Sequence, residues 1–213
     1  MGVGASFQAA IGPEPFAQRS AITRRDDTMT KMTRRESLAA DLKALVIDLC
    51  LLRRGPEDMP YSTALLGLLI GVGVLLDVAT GALLGETSDV LPRSLVSTGL
   101  VLALCWTALA LRGLGNRYLQ TASALLACSI VFSLLILPFA WLSGPAPSPP
   151  AQLTPTQVLL GWAMLAIVVW NLVVNAHILR RALDAPFVLG FALALAWAIA
   201  DWSLGHVLFD AAG

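Results

Sequence analysis

Two aspartates, Asp77 and Asp201, stand inside stretches of sequence that are otherwise apolar. A carboxylate at the centre of a membrane-spanning helix costs roughly 2.5 to 3.5 kcal/mol, so it reads as a proton or cation site, or else as a structural polar group near the interface. Counted from Ser62 and Pro186, where the two stretches begin, each aspartate is fifteen residues in. They therefore lie at one depth, in the outer leaflet. Small residues share their faces: Gly73 and Gly81 flank Asp77 at four-residue steps, and Ala194, Trp197, Ala198 and Gly205 surround Asp201 at three- and four-residue steps. Such faces let helices approach closely. The two spans are thus predicted to turn these stripes to the bundle interior, with Asp77 near Asp201. Neighbouring carboxylates rarely both ionise, and a pair that meets shares one proton. Gly67-xxx-Gly71, Gly81-xxx-Gly85 and Ala192-xxx-Ala196-xxx-Ala200 add further small-residue seams.

Other chemistry-bearing residues are sparse. Asn171 and Asn175 are one helical turn apart, and are expected to hydrogen-bond across helices, each such bond contributing roughly 0.6 to 2 kcal/mol. His177 and His206 fall about 27 Å apart in depth at 1.5 Å per residue, too far for one metal. Cys50, Cys105 and Cys128 form no CxxC pair and read as small buried hydrophobes. No metal site and no cofactor is expected. Intramembrane aspartyl proteases use paired aspartates in Tyr-Asp and Gly-x-Gly-Asp contexts, whereas Leu76 and Ala200 precede the two here. Gly-x-Ser-x-Gly, HExxH and P-loop patterns are absent. The chain is expected not to be an enzyme.

The elements that position these residues follow from composition. Of 213 residues, 57% are hydrophobic and 13% charged, and the mean hydropathy is +0.75. This predicts an all-α polytopic helical membrane protein. Residues 1–35 lack periodicity and are expected to be a disordered basic tail, with Met29 or Met32 as the natural start; no secretory signal is expected ahead of the first span. Residues 36–54 carry Leu38, Leu42, Leu45, Val46, Leu49 and Leu52 at three- and four-residue steps, with Asp41, Ala44 and Asp48 opposite. That pattern predicts an amphipathic helix lying in the cytoplasmic interface or packed on the bundle. Arg53-Arg54 suit its C-terminus, Gly55 is expected to cap it and Pro56 to stop it. Residues 55–213 form the membrane domain, with five spans at about 62–84, 94–111, 118–142, 157–179 and 186–208.

Charge gives the orientation. Nine Lys or Arg precede the first span, Arg112 and Arg117 follow the second, and Arg180 and Arg181 follow the fourth, leaving only Arg93 on the other side. The positive-inside rule then places the N-terminus in the cytoplasm and the C-terminus in the periplasm, in a bacterial inner membrane. Ser143 to Pro150 reads as an extended Pro-rich external spacer. Trp141 and Trp202 sit toward the outer boundary, and Tyr61 and Tyr118 toward the inner one.

From Glu36 onward the chain resembles small five-span proteins of the bacterial Yip-domain type, distant relatives of the Ypt-interacting proteins of eukaryotic secretory membranes. The resemblance is carried by the architecture and by Leu51-Leu52-Arg53-Arg54-Gly55-Pro56-Glu57-Asp58-Met59-Pro60 ahead of the first span. It implies an integral membrane protein and no catalytic residue; the Asp-Leu-Tyr-Gly-Pro element of the eukaryotic members is missing. The favoured expectation is a scaffold or accessory subunit acting through helix contacts, with the lipid bilayer, a membrane-protein partner or further copies of itself as its company and no nucleic acid. The alternative is a small proton- or cation-coupled channel or transporter component using Asp77 and Asp201.

Overall fold

The computed structural model describes residues 40–85, 89–143 and 154–210. The expected tail and the Pro-rich spacer lie outside the described residues. Among those described there are helices and turns and no strand. Residues 40–50 form α1, followed by α2 (Thr63–Leu84), α3 (Val90–Leu111), α4 (Tyr118–Ser143), α5 (Pro155–Ala182) and α6 (Phe187–Gly205), the last continued by one π-helical turn, His206–Asp210. Helices α2 to α6 are each long and apolar enough to cross a membrane. The chain is a membrane protein, with five spans among the described residues.

Two helix starts lie earlier than expected, for identifiable reasons, and α5 runs on to Ala182 rather than 179. Helix α3 begins at Val90 rather than Ser94, because Pro92 falls in its first turn, where a backbone donor has no intrahelical partner to lose. Helix α5 begins at Pro155, with Thr154 as N-cap: Thr154 Oγ1 accepts from Gln157 N at 3.3 Å, and Gln157 Oε1 accepts from Thr154 N at 3.0 Å. This is a capping box with proline at N1. Pro138 lies inside α4; having no N–H, it leaves the Leu134 carbonyl without its usual helical donor.

Helix α4 is the hub. It packs against α2, α3 and α5, while α6 packs against α5 and α3. Its residues Thr121 to Cys128 are all buried, and five of those eight are Ala, Ser or Thr, whose small side chains let neighbours approach from every side. Leu45, Leu49 and Cys50 of α1 are buried too, so this part of the amphipathic helix belongs to the packed unit. Trp170 Nε1 of α5 donates to the Cys50 carbonyl at 3.1 Å.

The junction after α1 differs from expectation. Helix α1 stops at residue 50, and Leu52, not Gly55, takes the left-handed conformation (φ 62°). Arg53 N bonds Asp48 O at 2.9 Å, closing a Schellman motif ahead of the expected cap. Asp48 draws the two arginines back, with Arg54 Nε 3.2 Å and Arg53 Nη1 4.0 Å from its carboxylate. Gly55 is extended instead (φ −118°) and buried, with the Glu57 side chain lying where a Cβ would stand.

The rest of the junction is a latch across the end of the bundle where α2, α4 and α6 begin, here called the near end. Met59 is 2% exposed. Gln120 Nε2 of α4 donates to the Met59 and Glu57 carbonyls at 2.9 and 3.2 Å. Arg181 pairs with Glu57, and Arg117 with Asp184, both at 2.8 Å. His177 Nε2 lies 3.2 Å from the Arg54 carbonyl. These contacts tie the start of α4 and the end of α5 to the start of α2.

Candidate functional site

The far half of the bundle is less closed. A cavity of about 420 Å³ at its centre receives residues from all five spans: Gly73 and Asp77 of α2, Ser97 and Thr98 of α3, Ser129 and Ser133 of α4, Asn171 and Asn175 of α5, and Trp197 and Asp201 of α6. A second cavity, of about 340 Å³, adjoins it toward the far end and shares Asp77, Ser97, Ser133, Ile136 and Asp201. Its remaining polar lining is Thr80, Arg93 and Ser94. Asp77 and Asp201, predicted to lie at one depth, thus face the same two spaces.

Helical rise gives the order along the membrane normal. Measured from the near end at 1.5 Å per residue, Asn175 and Asn171 lie at about 10 and 16 Å, Ser129 at about 16 Å, Asp77, Asp201, Ser97 and Ser133 at about 21 to 22 Å, and Ser94 and Arg93 at about 26 to 27 Å. The polar side chains form a track through the far two-thirds of the bundle. Both aspartates are half-buried. Ser94 Oγ donates to Asp77 Oδ2 at 2.8 Å, a bond that holds one carboxylate oxygen toward α3. On α5, Asn175 Nδ2 donates to Asn171 Oδ1 at 3.2 Å, so the two bond along their own helix rather than across to a neighbour. Asn175 Oδ1 is buried without a partner among the described residues.

The small residues divide between inward and outward faces. Gly81 is buried against Val90, whose Cγ1 lies 2.6 Å from where a Cβ would stand. Gly205 is buried beneath the Arg93 guanidinium. Gly73 borders the central cavity with open space above its Cα. Ala194 is buried, whereas Ala198 is exposed at the surface although it also borders the cavity. Gly67 and Gly71 are exposed, with nothing within 4 Å of the position that a Cβ would take. Their seam and the one through Ala192 and Ala196 face outward, away from the helices of this chain.

The histidines lie at opposite ends: His177 on the latch, and His206 edge-on against Trp202 with ring centroids 4.5 Å apart. Cys50, Cys105 and Cys128 are buried free thiols.

Four contributors were missed in the sequence. Arg93, assigned to an external loop, is half-buried in the first turn of α3 and lines the second cavity. Ser94 donates its hydroxyl to Asp77, and Ser133 lines both cavities. Gly190 meets the backbone of a second helix more tightly than any other described glycine: a Cβ there would stand 2.5 Å from the Ala176 carbonyl oxygen and 2.9 Å from Arg180 N. It clamps α6 onto α5 about three turns below Asp201, about 16 Å away. The serines carried no warning because a hydroxyl within a span usually bonds its own helix, as Thr80 does to the Leu76 carbonyl at 2.9 Å. Chemically, the arrangement offers carboxylates and hydroxyls for a proton or cation, one guanidinium, and apolar walls. Compared with known proteins, the chain matches no family model, no curated protein and no solved structure.

Proposed function

We propose that this chain is a non-enzymatic component of a small channel or transporter, binding a proton or cation at Asp77 and Asp201. The observation that carries the reading is the central cavity of about 420 Å³, lined by every span and holding both carboxylates. Helices associating only as a scaffold in lipid gain by close packing of small residues, and gain nothing from a polar space between them. Ionisable residues within spans are tolerated where they face a water-filled cavity, and there they mark ion and substrate paths. Arg112, Arg117, Arg180 and Arg181 lie toward the near end with the junction arginines, which supports a cytoplasmic near end in a bacterial inner membrane. The aspartates, and the cleft that the two cavities form around them, then lie in the periplasmic half of the bundle.

The test is flux in proteoliposomes. Asp77→Asn and Asp201→Asn are expected to abolish a pH-dependent proton or cation flux while the protein still assembles and unfolds normally. Undiminished flux in both variants would end the reading. The accessory-subunit reading rests on a different observation, the exposed Gly67 and Gly71 with open space above them, a surface that suits a partner helix. Impaired assembly in the aspartate variants, with no flux in the native protein, would favour it.

A further inference from the structure

We propose that the cleft binds a small zwitterion, bearing an ammonium and a carboxylate on an apolar body, the amino-acid class of solute. The inference rests on the reading of Asp77 and Asp201 as a ligand-binding pair and adds Arg93 as the second charged contact.

Arg93 is held against α6. Its guanidinium lies against the backbone of Gly205, where an added Cβ would stand 3.3 Å from Nη2 and 3.4 Å from Nε. Gly205 is one turn beyond Asp201 on α6, about 6 Å along the axis. The cation of the far half is therefore drawn over the same cavity that Asp77 and Asp201 line. Yet among the described residues no ion pair joins Arg93 to either aspartate. Opposite charges that face one space within a membrane domain and do not touch leave room for something that touches both.

The chemistry of the space narrows what that is. A proton or inorganic cation would use the carboxylates and leave the guanidinium idle; an inorganic anion would do the reverse. A zwitterion engages both: its ammonium donates to the carboxylates, and its carboxylate takes the planar fork of the arginine, which suits two parallel charge-assisted bonds. Beyond the aspartates the central cavity continues between Trp197, Leu125, Ile130, Phe132 and Val168. These walls suit an apolar side chain, and each cavity lies in the size range of small-molecule sites, about 300 to 1,000 Å³.

Calorimetry on the full chain in nanodiscs tests this with three probes of one shape: phenylalanine, 2-phenylethylamine, which lacks the carboxylate, and 3-phenylpropionate, which lacks the ammonium. Phenylalanine is expected to bind at least about tenfold more tightly than either analogue. Arg93→Gln should weaken phenylalanine by about 30-fold, as removal of a hydrogen-bonded charge partner does, and should not weaken phenylethylamine, which has no carboxylate to engage the guanidinium. Arg93→Lys, which keeps the charge and loses the fork, should fall between. Asp77→Asn with Asp201→Asn should weaken both ammonium-bearing probes. Equal binding of phenylalanine and phenylethylamine, indifferent to Arg93→Gln, would overturn the zwitterion and leave the cation site standing. Absence of all binding beside intact aspartate-dependent flux would do the same. Absence of both binding and flux would overturn the zwitterion together with the reading beneath it.

Discussion

Gly190→Ala is the sharpest test of how α6, and with it Asp201, is held in place. The added methyl would meet the Ala176 carbonyl oxygen at 2.5 Å, where ordinary contact starts at 3.4 Å. Its neighbours are the α5 backbone and the Cβ of Arg180, which no rotamer change removes. The helices must separate by roughly 0.9 Å, a gap that forfeits a quarter to a half of the dispersion energy of each contact it opens. Overpacking of this kind costs about 1 to 3 kcal/mol, with the upper part of that range expected where backbone must move. Alanine returns about 0.8 to 1 kcal/mol of helix propensity. The net destabilisation is therefore about 1 to 2 kcal/mol, read as the free-energy change in reversible unfolding by sodium dodecyl sulfate from mixed micelles. Gly161→Ala is the control, since nothing lies within 4 Å of its Cβ position; it should be neutral or stabilising by up to about 1 kcal/mol. The two variants should differ by about 1 to 3 kcal/mol. Agreement to within about 0.5 kcal/mol, the spread of inconsequential surface changes, would refute the close approach of α5 and α6.

Ser94→Ala removes the 2.8 Å bond to Asp77 and should destabilise by about 0.6 to 2 kcal/mol in the same titration, in line with hydrogen bonds between membrane helices. Met59→Ala empties a fully packed site in the latch and should cost about 2 to 5 kcal/mol. Glu57→Gln should cost less than about 1 kcal/mol, because its pair with Arg181 is 53% and 41% exposed; a larger loss would mean that the ion pair, rather than Met59, holds the junction. Replacing Gly67 and Gly71 together by Leu should leave stability within about 0.5 kcal/mol, since their Cβ positions are open. Loss of a cross-linked oligomer in that variant would identify the outward face as a contact between copies.

Asp77 and Asp201 stood out in the sequence because a carboxylate among apolar residues is costly and therefore conspicuous. Their common depth followed from counting, since every residue of a helix advances by the same rise. The count and extent of the spans were also legible, as length and apolar composition suffice for them. Which face turns inward was legible only on α2 and α6, where an aspartate marked it: elsewhere a span surrounded by lipid and protein is apolar all round, so periodicity does not separate its sides. Gly67 and Gly190 look alike in sequence, yet one faces outward and the other meets a neighbouring backbone. Arg93 was misread because the second span was begun only after it, at Ser94, although Pro92 is at home in a first helical turn and the helix starts at Val90. The start of α5 was available in Thr154-Pro155-Thr156-Gln157, a capping box preceding an apolar run. The end of α1 was not, since Leu52 takes a left-handed conformation that its side chain disfavours and Gly55, three residues on, would have taken freely.

That the space around Asp77 and Asp201 is open to water is the claim on which the functional account depends. With Cys50, Cys105 and Cys128 replaced by Ala, a single cysteine at Ser133 borders both cavities, whereas one at Leu135 stands on the outer surface of α4. Thiols react with methanethiosulfonates as thiolates, which need water. The account predicts that a membrane-impermeant cationic methanethiosulfonate labels Ser133→Cys and leaves Leu135→Cys untouched. Equal inertness of the two would contradict it.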